Sequence, residues 1–279
     1  MVKTEREKEK MAVYELRKAE DSSFYIYKKG VKGFIRYRIG RMINEAIRQD
    51  VWRIMDVCLC DKEGNPVKFI SERGADLEGA VWLMESKGHI GGGHGDEKWK
   101  EYLLFADGKA YSFETLPDAC ICSEIRLAVR SLMTLFGTET PCMERVKMVV
   151  FDAKGVHIRN EWKMLRDAVI RSVRGCMLSV NKSCIRHYYD SHVQLFPADV
   201  PQDQEKKYLC TEPEMVDVCY LGDIVARHWA GERGGDPKEY STLLLDYGPR
   251  LKSYFNCYDG HAAKEGELLT AENHFMITC

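Results

Sequence analysis

The sequence lacks the long apolar runs of a membrane protein, and it lacks a charge bias. No apolar run approaches the roughly 18–20 residues of a transmembrane helix, and the start, MVKTEREKEKM, has no apolar segment of the signal-peptide type. Lysine and arginine number 41 against 43 aspartates and glutamates among 279 residues, so the formal net charge is −2. This balance argues against nucleic-acid or anionic-membrane binding. We expect no signal peptide, no membrane insertion and no nucleic-acid partner.

The sequence also has no C-x-x-C motif, although it contains 11 cysteines. An odd number of cysteines without a secretion signal predicts reduced thiols in a protein made in a cytoplasm. Cys58 with Cys60, and Cys120 with Cys122, could be metal-ligand pairs. Both pairs lie in strand-like runs, however, where alternate residues share a face. This placement favours small apolar side chains over zinc ligands.

Helical patterns are scarce, and a period of two dominates instead. Apolar and polar residues alternate in FIRYRIGR (34–41) and SEIRLAVR (123–130), which indicates half-buried strands. Turn signals separate such runs, as at EGNP (63–66), Asp107-Gly108 and DAKG (152–155). Ten or more strands with short connections predict an all-β fold, a large antiparallel β-sandwich. One or two short helices are expected, in RMINEAIRQDVW (41–52) and in DIVARHW (223–229), with Asp223 as the N-cap of the second.

No internal repeat and no change in composition divides the chain. Residues 1–11 offer no apolar stripe and are predicted to form a polar N-terminal tail. Residues 12–279 are predicted to form a single large β-sandwich domain. The alternative is two sequential β-domains joined through 196–207, the most loop-like stretch of the chain.

The densest concentration of potential chemistry is GHIGGGHGDE, residues 88–97. Its two histidines are five positions apart, so only a looped backbone could bring His89 and His94 together. The glycines permit such a loop, because they accept positive φ and close approach. If the loop converges, His94, Asp96 and Glu97 are the candidate catalytic residues, and His89, His94 and Asp96 could hold a divalent metal. The alternative is a structural loop in which His94 and Asp96 hydrogen-bond to backbone groups, with no cofactor.

Aromatic side chains elsewhere are candidates for carbohydrate binding, since a ring can cover the apolar face of a pyranose. Tyr188, Tyr189 and Trp229 are the aromatic candidates, and His89 joins them as a binding residue. The stretch CIRHYYDSH (184–192) could serve lyase-type proton transfer, with a Tyr or His abstracting a proton from a uronic acid. A strand-edge aromatic cluster is the alternative for this stretch. Four arginines could neutralise a sugar carboxylate, or could simply be solvated charges on a sandwich face: Arg166, Arg171, Arg174 and Arg186.

Three stretches together carry a resemblance to known proteins: FIRYRIGRMINEAIRQDVWRIMDVCLCD, GHIGGGHGDEKWKEYLLFADGKAYSFE and NCYDGHAAKEGELLTAENHF. They resemble proteins encoded in the tail-gene regions of phages and prophages of Firmicutes. The last stretch, with its GE before a strand, also resembles the large β-sandwich of mutarotase-like domains and several polysaccharide lyases. The resemblance extends over most of the chain. A long repetitive or coiled shaft, usual in phage fibres, is missing, which would make the protein a tip, an adaptor or a decoration.

The resemblance implies a virion tail protein that binds host-surface glycan, with other tail proteins as partners and a homo-oligomeric state such as a trimer. The alternative function is a glycan-degrading enzyme, a polysaccharide lyase or a metal-assisted hydrolase, with its site in GHIGGGHGDE. The two hypotheses differ in what His94→Ala would do. An enzyme would lose turnover and keep its fold, whereas a structural loop would lose stability.

Overall fold

The computed structural model describes residues 14–19, 23–72, 79–184, 187–189, 195–197, 205–210, 216–221 and 224–279. Of the segments between 185 and 221 only the backbone is described. The 3-10 helices in these ranges are Glu45–Ile47, Gly92–His94, Lys182–Cys184 and Pro237–Glu239. The strands are β1 (Tyr14–Lys18), β2 (Phe24–Lys29), β3 (Phe34–Asn44), β4 (Gln49–Cys60), β5 (Pro66–Ser71), β6 (Ala80–Leu83), β7 (His89–Ile90), β8 (Glu97–Ala106), β9 (Lys109–Tyr111), β10 (Ala119–Cys122), β11 (Ile125–Thr134), β12 (Pro141–Asp152), β13 (Gly155–Met164), β14 (Ala168–Asn181), β15 (His187–Tyr189), β16 (Leu195–Pro197), β17 (Glu205–Cys210), β18 (Val216–Leu221), β19 (Ile224–Arg233), β20 (Ser241–Tyr247), β21 (Arg250–Cys257), β22 (Ala262–Ala263) and β23 (Leu268–Thr278).

These strands form two sheets. The larger sheet has the order β10-β1-β2-β3-β4-β8-β11-β12-β13-β23-β19-β18-β15-β16, with β5 on β4 and β9 on β8. The smaller sheet has the order β17-β20-β21-β14-β6-β7, with β22 on β14. Pairing among the described strands is antiparallel apart from a short parallel contact between β4 and β8. The predicted all-β sandwich class is confirmed.

The larger sheet curls so that its first strands face its later ones. Tyr37 of β3 places its ring centroid 5.2 Å from that of Phe151 in β12, and it also contacts Phe275 in β23. The Tyr14 hydroxyl donates to the Asp152 carbonyl oxygen at 2.9 Å. These contacts close the main apolar core, to which the smaller sheet adds Leu251 of β21 and neighbours in β14.

The smaller sheet packs its inner face on the later strands of the larger sheet. Val81 and Ile90, from β6 and β7, share an apolar cluster with Met133 and Trp162, from β11 and β13. Because side chains alternate along a strand, the residues beside Val81 and Ile90 point to the opposite, outer face. This alternation places the candidate site.

The period of two predicted the strand faces correctly. In β11, Ile125, Leu127 and Val129 are buried, while Arg126 and Arg130 are exposed. The three predicted turns are also confirmed, because 61–65, 107–108 and 153–154 join consecutive antiparallel strands. The alternation of apolar and polar residues in the sequence therefore matches the alternation of buried and exposed side chains in the strands.

Of the two predicted short helices, the first is reduced to one 3-10 turn and the second is wrong. In 41–52, β3 runs on to Asn44, a single 3-10 turn follows, and Arg48 at φ 50° turns the chain back into β4. In 223–229, residues 224–229 belong to β19, where Ala226 and His228 are buried while Arg227 is exposed. Strand alternation outweighed the helical spacing in both segments. Asp223 and the predicted tail, 1–11, lie outside the described residues.

The eight cysteines whose side chains the structure describes carry free thiols. Cys58 and Cys60 are buried on one side of β4 with Tyr27, and Cys122 is buried in the main core, so these side chains pack as apolar groups. Burial raises the pKa of the Cys122 thiol to about 12. Among the described residues, none of the helices combines the length and the apolar character of a membrane span.

Candidate functional site

The glycine-rich segment passes from the smaller sheet to the larger one. His89 and Ile90 form β7, Gly92–His94 is a 3-10 turn, and Glu97 begins β8. Gly95 has φ 84°, and a Cβ there would overlap the carbonyl oxygen of Ile47. Only glycine therefore allows this close backbone approach. As predicted, a looped backbone brings the two histidines together.

Glu97 is buried beneath this loop in an ion pair. Both of its carboxylate oxygens lie 3.2 Å from Nη1 of Arg145, a fully buried residue. Ser131 Oγ donates to Glu97 Oε1 at 2.6 Å, and the amide of Gly92 donates to Oε2 at 3.2 Å. On the other side, the Arg145 guanidinium donates to Asn160 Oδ1. The carboxylate thus holds the loop onto the core.

Asp96 is also buried and bound to protein groups. Its carboxylate pairs with the Arg48 guanidinium, and its Oδ2 accepts a hydrogen bond from the amide of Gly137 at 3.2 Å. Its backbone has φ 55° and is held by bonds to Ile47 and Thr134. Asp96 and Glu97, the predicted acidic partners of His94, are therefore each committed to a separate arginine.

The histidines lie on the outer face of the smaller sheet, next to Trp82. Trp82 and His89 are direct partners in the pairing of β6 with β7, and their ring centroids are 4.6 Å apart. His89 stacks on His94 at 4.8 Å with an interplanar angle of 26°. The Arg171 guanidinium lies 3.9 Å from the centroid of Trp82. Four planar groups are thus in continuous contact, and His94 is exposed to solvent.

Cations surround these rings. Burial, together with the charges of Arg174 and Arg171 and the neighbouring His94, lowers the pKa of His89 to about 3. Although His94 is partly exposed, the burial of the rest of its ring, together with Arg174 and Lys252, likewise lowers its pKa. Both imidazoles are therefore neutral at pH 7, in a positive local potential. We call Trp82, His89, His94, Arg171, Arg174 and Lys252 the arginine-ring surface.

Two of the other predicted residues, Trp229 and Arg166, lie away from this surface. Trp229 lies on β19, on the outer face of the larger sheet. The side chains of Tyr188 and Tyr189 and the whole of Arg186 lie outside the described residues. Arg166 forms a surface ion pair with Glu85, in which Nη2 of the arginine lies 3.7 Å from Oε1 of the glutamate.

A second cluster of polar side chains escaped the sequence analysis. His157 of β13 lies directly opposite His274 of β23, and their Nδ1 atoms are in hydrogen-bond contact. His157 Nε2 lies 3.1 Å from Asp152 Oδ1, and Glu272 Oε1 lies 3.6 Å from His274 Nε2. Trp229 stacks on His274 at 5.4 Å with an interplanar angle of 12°. We call Asp152, His157, Glu272 and His274 the histidine–carboxylate cluster.

Alternation could have placed each of these four residues on a strand face, but not next to one another. The two histidines are 117 residues apart, and the pairing of β13 with β23 leaves no local mark in the sequence. Among the described residues, His157, Glu272 and His274 are the one group of three possible ligands whose atoms lie within 4.8 Å of one another. His89, His94 and Asp96 form no such group, and a metal held by them stays a prediction.

Comparison with known proteins shows no family. No protein-family model and no curated protein matches the chain. Solved structures do match. A galactose mutarotase-like protein from Clostridium acetobutylicum is 10% identical, with a TM-score of 0.48 over 95% of this chain and 98% of that one. A galactose mutarotase-like protein from Lactobacillus casei is 8% identical, with a TM-score of 0.43 over 91% and 99%.

A third similar structure is the alpha-N-acetylgalactosaminidase NagBb from Bifidobacterium bifidum in complex with GalNAc. It is 9% identical, with a TM-score of 0.45 over 96% of this chain, which spans only 35% of that enzyme. Identities this low transfer no residue role and no activity to this chain. Nothing in these comparisons supports assignment to a phage tail.

Proposed function

We propose that the protein binds carbohydrate through the arginine-ring surface, and that the sugars it prefers carry negative charge. The observation that carries this proposal is the contact series from Arg171 through Trp82 and His89 to the exposed ring of His94. Planar rings at a surface suit the apolar face of a sugar. The guanidinium groups beside them suit its carboxylate or sulfate groups, through charge-assisted hydrogen bonds.

The protonation state of the imidazoles supports this proposal. With the pKa of His89 lowered to about 3 and that of His94 also lowered, each ring has one nitrogen that donates and one that accepts at pH 7. A sugar hydroxyl does both. The surrounding positive potential favours an anionic ligand and disfavours a cation.

The alternative enzymatic function receives less support from the geometry. Asp96 and Glu97 are bound to Arg48 and Arg145 beneath the loop, which leaves His94 without a carboxylate from this motif to orient it. We therefore propose binding without cleavage, so that a bound acidic polysaccharide is recovered with no new unsaturated or reducing ends.

The test is affinity for an acidic polysaccharide, polygalacturonate, against a neutral glucan. Arg174→Gln should weaken binding of polygalacturonate by roughly 10–100-fold, the usual effect of losing a hydrogen bond to a charged group. The matched control is Arg126→Gln, which removes an exposed arginine from β11 of the larger sheet and should leave affinity unchanged. Equal weakening by both variants, or no preference for the acidic polymer, would overturn the proposal.

The resemblance drawn from the sequence extends this proposal to a host-surface glycan bound by a virion tail protein that works as a homo-oligomer with other tail proteins. This narrower form is tested by adsorption of the purified protein to intact bacterial cells. It requires adsorption that free acidic polysaccharide competes away and that Arg174→Gln abolishes. Binding to polygalacturonate without adsorption to cells would remove the host-surface form and leave the carbohydrate-binding proposal standing.

A further inference from the structure

The outer face of the larger sheet carries an arrangement that sugar binding does not use. The geometry points to a divalent transition-metal site, of the zinc type, held by His157, Glu272 and His274, with Asp152 orienting His157. One ligand atom from each of the three lies within 4.8 Å of the others. Two imidazoles and a carboxylate are a donor set that zinc commonly takes from proteins.

The sheet itself builds the histidine pair. His157 and His274 are directly opposed in the antiparallel register of β13 and β23, so their side chains share one face at cross-strand distance. Glu272 is two residues before His274 and therefore emerges on the same face. Three ligands thus come from two hydrogen-bonded strands, an arrangement that needs no loop to close around the ion.

The groups behind these ligands support a metal. The Nδ1 atom of His157 faces His274, while its Nε2 atom lies 3.1 Å from the Asp152 carboxylate. A carboxylate on the second ring nitrogen is the usual partner of a metal-binding histidine, because it fixes the tautomer and the ring orientation. Trp229, stacked on His274 at an angle of 12°, holds the second ring in place.

The backbone leaves space for the cluster. A Cβ on Gly231 of β19 would lie 2.5 Å from His274 Nε2 and 2.9 Å from Glu272 Cγ. The neighbouring cation, Arg159, donates to Glu161 at 2.9 Å and contacts Glu232 at 3.4 Å. Its interaction with Glu272, its cross-strand partner, is a weaker electrostatic one. The three ligands are partly exposed, so water could complete the coordination of the ion.

The experiment is titration of the chelator-treated, untagged protein with Zn²⁺ by calorimetry and with Co²⁺ by visible absorption. We expect one bound ion per chain. The visible absorption bands of Co²⁺ should be those of an ion with low coordination number. His274→Ala and Glu272→Gln should each abolish stoichiometric binding, and Asp152→Asn should weaken it by roughly 10–100-fold. Thermal unfolding of each variant shows whether the fold is kept, and Glu272→Gln, at a partly exposed position, keeps the test valid if His274→Ala unfolds.

The matched control is His261→Ala. His261 also lies between two carboxylates, those of Glu239 and Glu267. Unlike the proposed ligands, these three described residues do not form a group whose ligand atoms all lie within 4.8 Å of one another. This variant should bind Zn²⁺ as the unmodified chain does. Absence of stoichiometric binding, or binding that survives both His274→Ala and Glu272→Gln, would overturn the site. Either result leaves carbohydrate binding by the arginine-ring surface unaffected.

Discussion

Each outer face of the sandwich presents two contacting histidine rings beside a tryptophan, but the charges around the two pairs have opposite sign. On the smaller sheet, His89 and His94 lie among arginine and lysine side chains. On the larger sheet, His157 and His274 lie beside two carboxylates. The rings are the same chemical groups at similar separations, 4.8 and 4.4 Å between centroids. Their neighbours make the difference.

An imidazole is a versatile group, and its surroundings select one of its roles. Cations beside a neutral imidazole pair attract an anion and repel a metal ion. Carboxylates beside such a pair orient its lone pairs and offset the charge of a metal ion. The two faces therefore lead to ligands of opposite charge. The predictions below test whether neighbouring charge, rather than the histidines themselves, separates the two faces.

The largest effect is expected for Arg145, a buried arginine that stabilises the fold instead of facing a ligand. Arg145→Met leaves Glu97 buried without its cation, so the free energy of unfolding should fall by about 3–5 kcal/mol. Chemical denaturation measures it. Arg130→Met is the control, because Arg130 pairs with Glu144 at the surface, and its effect should stay within about 0.5 kcal/mol. Equal losses in the two variants would show that Glu97 does not depend on the buried pair.

An intermediate effect is expected from a histidine that lies between the two sheets. His228 is fully buried with its Nδ1 atom 2.7 Å from Ser253 Oγ. Burial, with a smaller contribution from His274, lowers its pKa to about 3. In the unfolded chain the pKa is about 6.5, so between pH 6.5 and 3 the unfolded chain binds a proton that the folded chain does not. The free energy of unfolding should therefore decrease as the pH is lowered from 6.5 to 3, by at most about 1.4 kcal/mol per pH unit.

His228→Asn removes this titration while keeping a side chain that can bond to Ser253. Its stability at pH 7 should be lower than that of the unmodified chain, but it should lose less stability between pH 6.5 and pH 4.5. Denaturation midpoints at the two pH values give the comparison, in which the other titrating groups cancel. Parallel losses in the two proteins would mean that His228 takes up its proton in the folded state.

The fold could be predicted from the sequence because strand burial repeats every two residues. In β11 the apolar positions from Ile125 to Val129 are the buried ones, and this information is contained in ten consecutive residues. The segment around Glu45 was harder, since a 3-10 turn and an ordinary short helix begin with the same residue types. Only the left-handed backbone of Arg48, set by the hairpin, distinguishes them.

The candidate sites were predictable to different degrees for the same reason. Glycine content alone marked the loop that brings His89 and His94 together, because flexible backbone and ligand-like side chains are adjacent in sequence. His157 and His274 come from strands far apart in the chain, and only the sheet register joins them. Trp229 was selected as an aromatic for sugar binding, yet its partner, His274, could not be known before the pairing of β19 with β23.

The smallest effect is expected in the ring titrations of the arginine-ring surface. In Arg174→Gln the pKa of His89 should rise from its value of about 3, and that of His94 should rise as well, because Arg174 is the largest electrostatic cause of both shifts. Both should remain below 6.5, since burial contributes more. The pH dependence of imidazole NMR signals measures this, and Arg126→Gln should change neither. If His89 titrates identically in all three proteins, the positive potential does not come from Arg174, and the contrast in charge between the two faces loses its basis.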